Sequence, residues 1–352
     1  MKNPSPVTEP ALSFSKGHSP LSLKAPAKIN LFLRVFGRRC DGYHEIKSLI
    51  QKINLHDVLT FTLSDNLKVT TSFSDAGQFV VDLPAGQAGS TLREDIPEEH
   101  NLVYKAAVLL RNKCSVKSGA KINLNKKIPL SAGLGGGSSD AASALLGLNK
   151  IWSLGLSNGD LYEFAEQLGA DVPFFLNGPR AFVEGKGEKI TNIEAGNSFH
   201  ILLVKPHITV STAWVYNSYQ LLVASNELKD NNTTQDFELN SSLVTHHSSR
   251  SLRWLTNEVN KVDNITLFIK AVEKAELRKS KEIFNDLEAV TIKSFPVIAD
   301  IKDRLIGEGA IFSLMSGSGP TVFGIFNSAE EAMDASKAFK DYWTAVVKTL
   351  TD

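Results

Sequence analysis

Four of the chain's 24 glycines fall between Gly133 and Gly137, inside the stretch PLSAGLGGGSS at residues 129–139. Ahead of it, Lys121 to Leu124 alternates as a short strand. A helical pattern, SSDAASALL from Ser138 to Leu146, follows at once. Strand, glycine loop and helix start is an arrangement that binds phosphate, because glycines let backbone N–H groups approach an anion and the first helical turn offers unpaired donors with partial positive charge. The stretch is not a P-loop, which needs a Lys where Ser138 follows the glycines. Nor is it G-x-G-x-x-G, since counting from Gly133 puts Ser138 in the third glycine's place. Taken alone it reads equally as a flexible turn that caps a helix, with Ser138 and Ser139 as N-cap residues. Its company elsewhere in the chain has to decide.

Residues 23–36, LKAPAKINLFLRVF, read as a strand with Ala27, Ile29, Leu31, Leu33 and Val35 on one face. Lys28, Asn30, Phe32 and Arg34 fall on the other. Lys28 is therefore either an ordinary solvated lysine or, beside Asn30, part of a site. Asp41-Gly42 marks a turn, and Tyr43-His44 follows it directly. Strand patterning resumes over 46–63, and 82–100 reads as a surface loop. Asn101 starts a helix with Leu102, Ala106, Leu109 and Leu110 on one side. Ser157 and Asp160 form a capping box before a helix whose apolar face is Leu161, Phe164, Ala165 and Leu168, ended by Gly169. Asp171 lies just beyond, in GADVPFF, and with Pro173 so close it reads on its own as the cap of another short helix. Ile201 to Val204 is a strand opening a second half. Residues 225–250 read as a polar insertion without pattern, and His246-His247 within it lacks further ligands at metal spacing. LMSGSGPT, from Leu314 to Thr321, is a second small-residue loop, followed by a strand at Val322 to Phe326. Ser328 and Glu331 form a capping box that starts the last helix.

A chain of 352 residues with 42% apolar and 22% charged residues has room for two domains. Lys plus Arg and Asp plus Glu balance at 38 each, which argues against nucleic-acid coating or a membrane surface as partner. Only Cys40 and Cys114 occur, without metal spacing, which suits a reducing cytosol. No run approaches the roughly 18 apolar residues of a membrane span. The first 22 residues lack the apolar stretch of a secretory signal, so a disordered tail and a cytoplasmic protein are expected.

Three separated blocks now agree. PAKINLFL, PLSAGLGGGSSDAA and MSGSGP resemble the three motifs of the GHMP small-molecule kinases. DGYHE, AGLGGGSSDAA and LGADVPFF narrow the likeness to the 4-diphosphocytidyl-2-C-methyl-D-erythritol kinase family, and it extends from about residue 23 to about 345. The resemblance implies an α+β fold of two domains. Residues 23–197 would form an N-terminal α/β domain carrying the glycine-rich phosphate loop, and 198–352 a ferredoxin-like C-terminal domain with a polar insertion near 225–250. It implies ATP as phosphoryl donor with Mg²⁺ of unassigned ligands, touching Ser138 or Ser139, and a small cytidylyl-linked alcohol as substrate. The ATP phosphates would be wrapped by Pro129, Leu130, Ser131, Ala132, Gly133, Leu134, Gly135, Gly136, Gly137, Ser138 and Ser139. Asn101 and Lys126 would border the nucleotide. Lys28 and Asp171 would be the catalytic pair. Asn30, Tyr43 and His44 would lie on the substrate side, with Tyr216 as the second face of a cytosine sandwich. Another alcohol kinase of the superfamily, acting on a sugar, homoserine or a mevalonate-type alcohol, and a catalytically silent nucleotide binder are the competing expectations. An NAD-binding dehydrogenase is disfavoured because no acidic residue stands suitably about 20 residues after the loop.

Overall fold

The computed structural model describes residues 19–74, 97, 100–194, 196–232 and 284–351. The expected N-terminal tail as far as residue 18, nearly all of the 82–100 loop and 233–250 of the expected insertion lie outside the described residues. The first sheet uses β1 (Leu21–Arg38), β2 (His44–Ser64), β3 (Lys68–Phe73), β4 (Gly119–Lys126), β5 (Arg180–Gly185) and β6 (Lys189–Asn192). Four helices accompany it: α1 (Leu102–Lys113), α2 (Gly136–Ile151), α3 (Asn158–Leu168) and the one-turn α4 (Val172–Phe175). The second sheet has β7 (His200–Lys205), β8 (Phe312–Met315), β9 (Val322–Phe326) and β10 (Trp343–Lys348). Its helices are α5 (Thr212–Asn232), α6 (Glu288–Ser294), α7 (Val297–Gly307) and α8 (Ala329–Ser336).

Order in the second sheet is β10-β7-β9-β8, antiparallel throughout. Numbered from β7 that is 4-1-3-2, the ferredoxin-like order expected of the second half. In the first sheet β2 pairs with β1 on one edge, between His44 and Phe61. Its other edge is shared end to end, residues 46–51 with β5 and 58–64 with β4. Into the gap between those partners comes the chain's C-terminal end. Lys348 N–H donates to Asn54 Oδ1 and Leu350 N–H to the Lys52 carbonyl, both at 2.9 Å.

The alternation of β1 is as expected, starting two residues earlier at Leu21. Ala27, Ile29 and Leu31 pack with Ile201, Leu203 and Phe323 between the two sheets, and Leu33 and Val35 join the core under α6 and α7. β7 is buried on both faces, Leu202 and Val204 facing the helices and Ile201 and Leu203 facing β1. The Ser157–Asp160 capping box is present, and Gly169 is the C-cap of α3. Three expectations need correction. On α1 the buried residues are Val103, Ala106, Ala107 and Leu110, so the inward face is turned away from Leu109. Residues 225–232 continue α5 as helix and are no patternless insertion. Before α8, Ser328 Oγ accepts from Glu331 N–H as expected, but the Glu331 carboxylate reaches back to Asn327, one residue further.

Small residues let α2 lie close on the first sheet. A Cβ placed on Gly147 would stand 2.5 Å from the Phe61 ring. Gly to Ala inside a helix normally gains about 1 kcal/mol in propensity, whereas overpacking a rigid core costs about 1–3 kcal/mol. The ring is buried and has nowhere to go, so Gly147→Ala should lose roughly 1–2 kcal/mol in denaturant unfolding. Phe61→Leu in the same chain should restore part of that loss. Stabilisation by Gly147→Ala alone would show that the helix does not sit this close.

Candidate active site

The loop at 129–139 turns through left-handed backbone at Ser131, Gly133 and Gly135, with φ of 49°, 73° and 69°. Gly135 is the N-cap of α2, so the helix begins at Gly136 inside the glycine run. Ser138 and Ser139 therefore lie in the first turn and are not caps, which corrects the reading of the loop as Ser-capped. Three successive carbonyls are tied to two distant segments, the loop between β8 and β9 and strand β1. Ala132 O accepts from Thr321 N–H (3.4 Å), Gly133 O from Ser316 Oγ (3.0 Å) and Leu134 O from Lys28 N–H (2.9 Å). A side chain at Gly133 is impossible here, because its Cβ would fall 2.2 Å from the Ser316 carbonyl. The Ala132 and Leu134 side chains are buried between the sheets. What remains for a ligand is the N-terminal turn of α2, with its unpaired N–H donors and positive dipole end.

Lys28 lies against this loop. A Cβ on Gly135 would meet its side chain at 2.9 Å, and one on Gly317 would meet its ammonium at 3.2 Å. The ammonium donates to Asn30 Oδ1 at 2.6 Å and faces Asp171 Oδ2 at 3.7 Å. Asn30 donates in turn to Ser48 Oγ (2.8 Å), and Ser48 donates to the Phe32 carbonyl (2.6 Å). This relay fixes the Asn30 amide, so that its oxygen can only face Lys28. Asn30 thus stands beside the Lys28–Asp171 pair. Asp171 is the N-cap residue of α4, yet its side chain makes no capping hydrogen bond. Its carboxylate is left half exposed beside a lysine that is only 4% exposed. The cap reading of Asp171 and the solvated-lysine reading of Lys28 both fail.

Asn101 and Lys126 are buried and committed to protein partners. Asn101 caps α1, accepting from Val103 N–H at 2.9 Å. Lys126 lies between two carboxylates, donating to Asp57 Oδ2 and to Asp140 Oδ2 (2.6 Å). Asp57 Oδ1 also accepts from the Lys127 and Ile128 N–H groups, which lead into the loop. Burial alone would lower the Lys126 pKa, but Asp140 and Asp57 more than offset it and the ammonium is held charged. Burial raises Asp140, against the pull of Lys126. This cluster ties the end of β4 to the first turns of α2, and Asp57 had no sequence signal beyond its charge. Asp140 Oδ1 and the neighbouring Ser139 Oγ are buried without a hydrogen-bond partner.

The turn at 41–44 is built by Asp41, whose Oδ1 accepts from Tyr43 N–H at 3.1 Å, and by Gly42 at φ 87°. Tyr43 stands exposed, with the Lys186 ammonium 5.1 Å from its ring centre. His44 is turned inward against the Tyr216 ring, centroids 5.2 Å apart. Its Nε2 is buried without a partner. Burial, then the nearby Arg38, pushes His44 below the ordinary histidine value. Burial, then the charge of Asp171, raises the Tyr216 phenol, so the aromatic cluster and the carboxylate share one neighbourhood. Tyr216 therefore packs on His44, where it had been expected to sandwich a base opposite Tyr43.

Family models for the GHMP kinases N terminal domain and the GHMP kinases C terminal match residues 101–179 and 268–345. The 4-diphosphocytidyl-2-C-methyl-D-erythritol kinase of Thermodesulfovibrio yellowstonii is 38% identical over 335 residues, covering 94% of this chain and 99% of the relative. Its counterpart from Geobacter metallireducens is 40% identical over 334 residues, with the same coverage. A crystal structure of 4-(cytidine 5'-diphospho)-2C-methyl-D-erythritol kinase superposes with a TM-score of 0.66 at 27% identity, over 94% of this chain and 99% of that one. A homoserine kinase from Cytophaga hutchinsonii, 18% identical with a TM-score of 0.61, shares the fold over 97% and 98% of the two chains. On this identity and coverage, the chain belongs to the 4-diphosphocytidyl-2-C-methyl-D-erythritol kinase family of the GHMP kinases.

Proposed function

We propose that the protein transfers the γ-phosphoryl group of ATP to the 2-hydroxyl of 4-diphosphocytidyl-2-C-methyl-D-erythritol, a step of non-mevalonate isoprenoid synthesis. The observation that carries this reading is the Lys28–Asp171 pair at 3.7 Å, set against the glycine loop. The relatives named for this activity, aligned over nearly the whole chain, support the substrate.

Phosphoryl transfer is mostly positioning and neutralisation of spreading charge. The loop and the first turn of α2 supply fixed donors to the phosphates. Asp171 accepts the proton of the acceptor hydroxyl as that oxygen attacks phosphorus and the bond to the ADP oxygen breaks. Lys28 steers the attacking oxygen, with Asn30 holding the ammonium in place. Asn101 and Lys126 act from beneath, by fixing the framework on which the loop is hung.

Among the described residues no three His, Cys, Asp or Glu side chains gather as a metal cage. That fits Mg²⁺, which keeps waters and substrate phosphates as ligands and asks few of the protein. Ser138 and Ser139, in the first turn of α2, are the residues that would hold it. When bound it would supply positive charge that neutralises the phosphates during transfer. We place the boundary between the ATP-binding and C-terminal domains at 197/198, between β6 and β7. We assign the protein to the cytoplasm: both cysteines are free, and among the described residues no helix is long and apolar enough to cross a membrane.

Asp171→Asn should lower turnover by roughly 10²–10⁴-fold, the range of a lost acid–base group. Lys28→Ala should behave similarly, with the ATP dissociation constant changing less than the rate. Near-normal turnover in a folded Asp171→Asn enzyme would remove Asp171 from the chemistry.

Tyr43 offers a flat face and His44 an unpaired nitrogen, the two contacts that a cytosine used as a remote anchor requires. Tyr43→Ala should raise the KM of the cytidylyl substrate by roughly 5- to 150-fold, at about 1–3 kcal/mol per stacked base, and leave ATP affinity alone. His44→Ala should narrow the preference for cytidine- over uridine-linked substrate. Because His44 is pushed below its ordinary value, kcat/KM for the cytidylyl substrate should hold steady down to about pH 6.5 and fall only below it. That acid limb should disappear in His44→Ala. A limb above pH 6.5, or one surviving the substitution, would belong to another group. Phosphorylation of the free polyol as readily as of its cytidylyl form would favour a different alcohol kinase of the superfamily.

A further inference from the structure

Lys52 is a buried lysine with no carboxylate partner among the contacts described for it. Its ammonium donates to the carbonyls of Asn177 at 2.6 Å and Phe175 at 3.1 Å, and lies 5.5 Å from the Phe174 ring centre. Those carbonyls close the C-terminal end of α4, the single turn whose first flanking residue is Asp171. Lys52 is also the direct cross-strand partner of Lys28 in the β1–β2 ladder. Like charges facing each other in a ladder repel. Here each ammonium is drawn to a different end of the same four-residue helix, Lys28 to Asp171 and Lys52 to the carbonyl end.

We propose that Lys52 is a positioning residue for the phosphoryl transfer, tethering the carbonyl end of α4 so that the Asp171 carboxylate is held at Lys28. This rests on the assignment of Asp171 as the base. A cation at a helix C-terminus is favourable in itself, since it meets unpaired carbonyls and the negative end of the dipole. A helix of one turn has almost no stability of its own, so its placement must come from such tethers. Stability is not what Lys52 contributes. Burial lowers its pKa to about 8, from 10.5. The unfolded chain therefore binds more protons between those values, so stability rises with pH across that window, and at neutral pH the buried charge is a net cost to folding. The group is kept charged where charge is expensive, beside the element that carries the catalytic carboxylate.

The test is a double-mutant cycle with Lys52→Met and Asp171→Asn, each variant first shown to melt cooperatively. Lys52→Met should lower kcat by roughly 10- to 100-fold, the scale of a misplaced reacting group, with KM for ATP and for the cytidylyl substrate within about twofold. In an Asp171→Asn background the same change should alter the residual kcat by less than about twofold, because the group it positions is already disabled. Lys52→Gln keeps one amide donor and should fall between parent and Lys52→Met; it also carries the comparison where Lys52→Met does not fold. An equal loss in both backgrounds, or a loss expressed only in KM, would overturn the proposal and leave Lys52 as a packing residue. An unchanged kcat in the single Lys52 variants would sink it alone. A near-parental kcat in Asp171→Asn would instead sink the base assignment on which it rests.

Discussion

The site depends on a division of labour within one stretch of backbone. Residues 132–134 spend their carbonyls on Thr321, Ser316 and Lys28, which come from the two other small-residue or strand motifs. Buried peptide groups must be satisfied, and satisfying these three on one side leaves the start of α2 to face outward with its donors. Segments some 100 to 190 residues apart in the chain are joined at three consecutive peptides. Glycine is required at 133 because the partner backbone occupies the place of a side chain. The glycine loop is thus a junction of both halves, and its shape is a property of the whole fold.

Charge is buried around this junction in an unusual amount. Lys28, Lys52, Lys126, Asp57 and Asp140 are all largely removed from solvent. Buried ions rarely gain stability, because desolvation offsets their attraction. They do fix geometry, since each must find its hydrogen-bond partners or leave them at high cost. Asp57 engages Lys126 and two loop-leading amides at once, and Lys126 adds Asp140 on α2. A hydrophobic core of the same volume would pack as well but would not specify where the helix N-terminus stands.

Short-range features were legible in the sequence because their causes are short-range. The alternation of β1, the capping box at Ser157 and the glycine turn are each decided by residues within a few positions of one another. The pairing of Lys28 with Asp171 was available only through the family resemblance, since 143 residues separate them. Asp57 and Lys52 gave no signal at all. A lysine or aspartate in a strand pattern looks solvated until its distant partners are known, and theirs lie on β4, α4 and the loops after them. For Lys126 and Asn30, residue type suggested a site, while the protein partners each one meets are set by the fold. The inward face of α1 slipped because several of its neighbouring positions are apolar, so the pattern allowed more than one rotation.

Lys52 and Asp57 stand at the two limits of the gap in the outer edge of β2, where β5 has ended and β4 has not begun. One limit is hydrogen-bonded to the carbonyls that end α4, and the other to the peptides leading into the glycine loop. A strand advances about 3.3 Å per residue, so five steps of extended backbone, roughly 17 Å, set the spacing between the two anchor points. The strand behaves as a ruler laid between the Asp171 turn and the glycine loop. Its length cannot be altered by one residue without reversing every side chain beyond the change, which makes the interval between these two residues as much a determinant of the local geometry as the residues themselves.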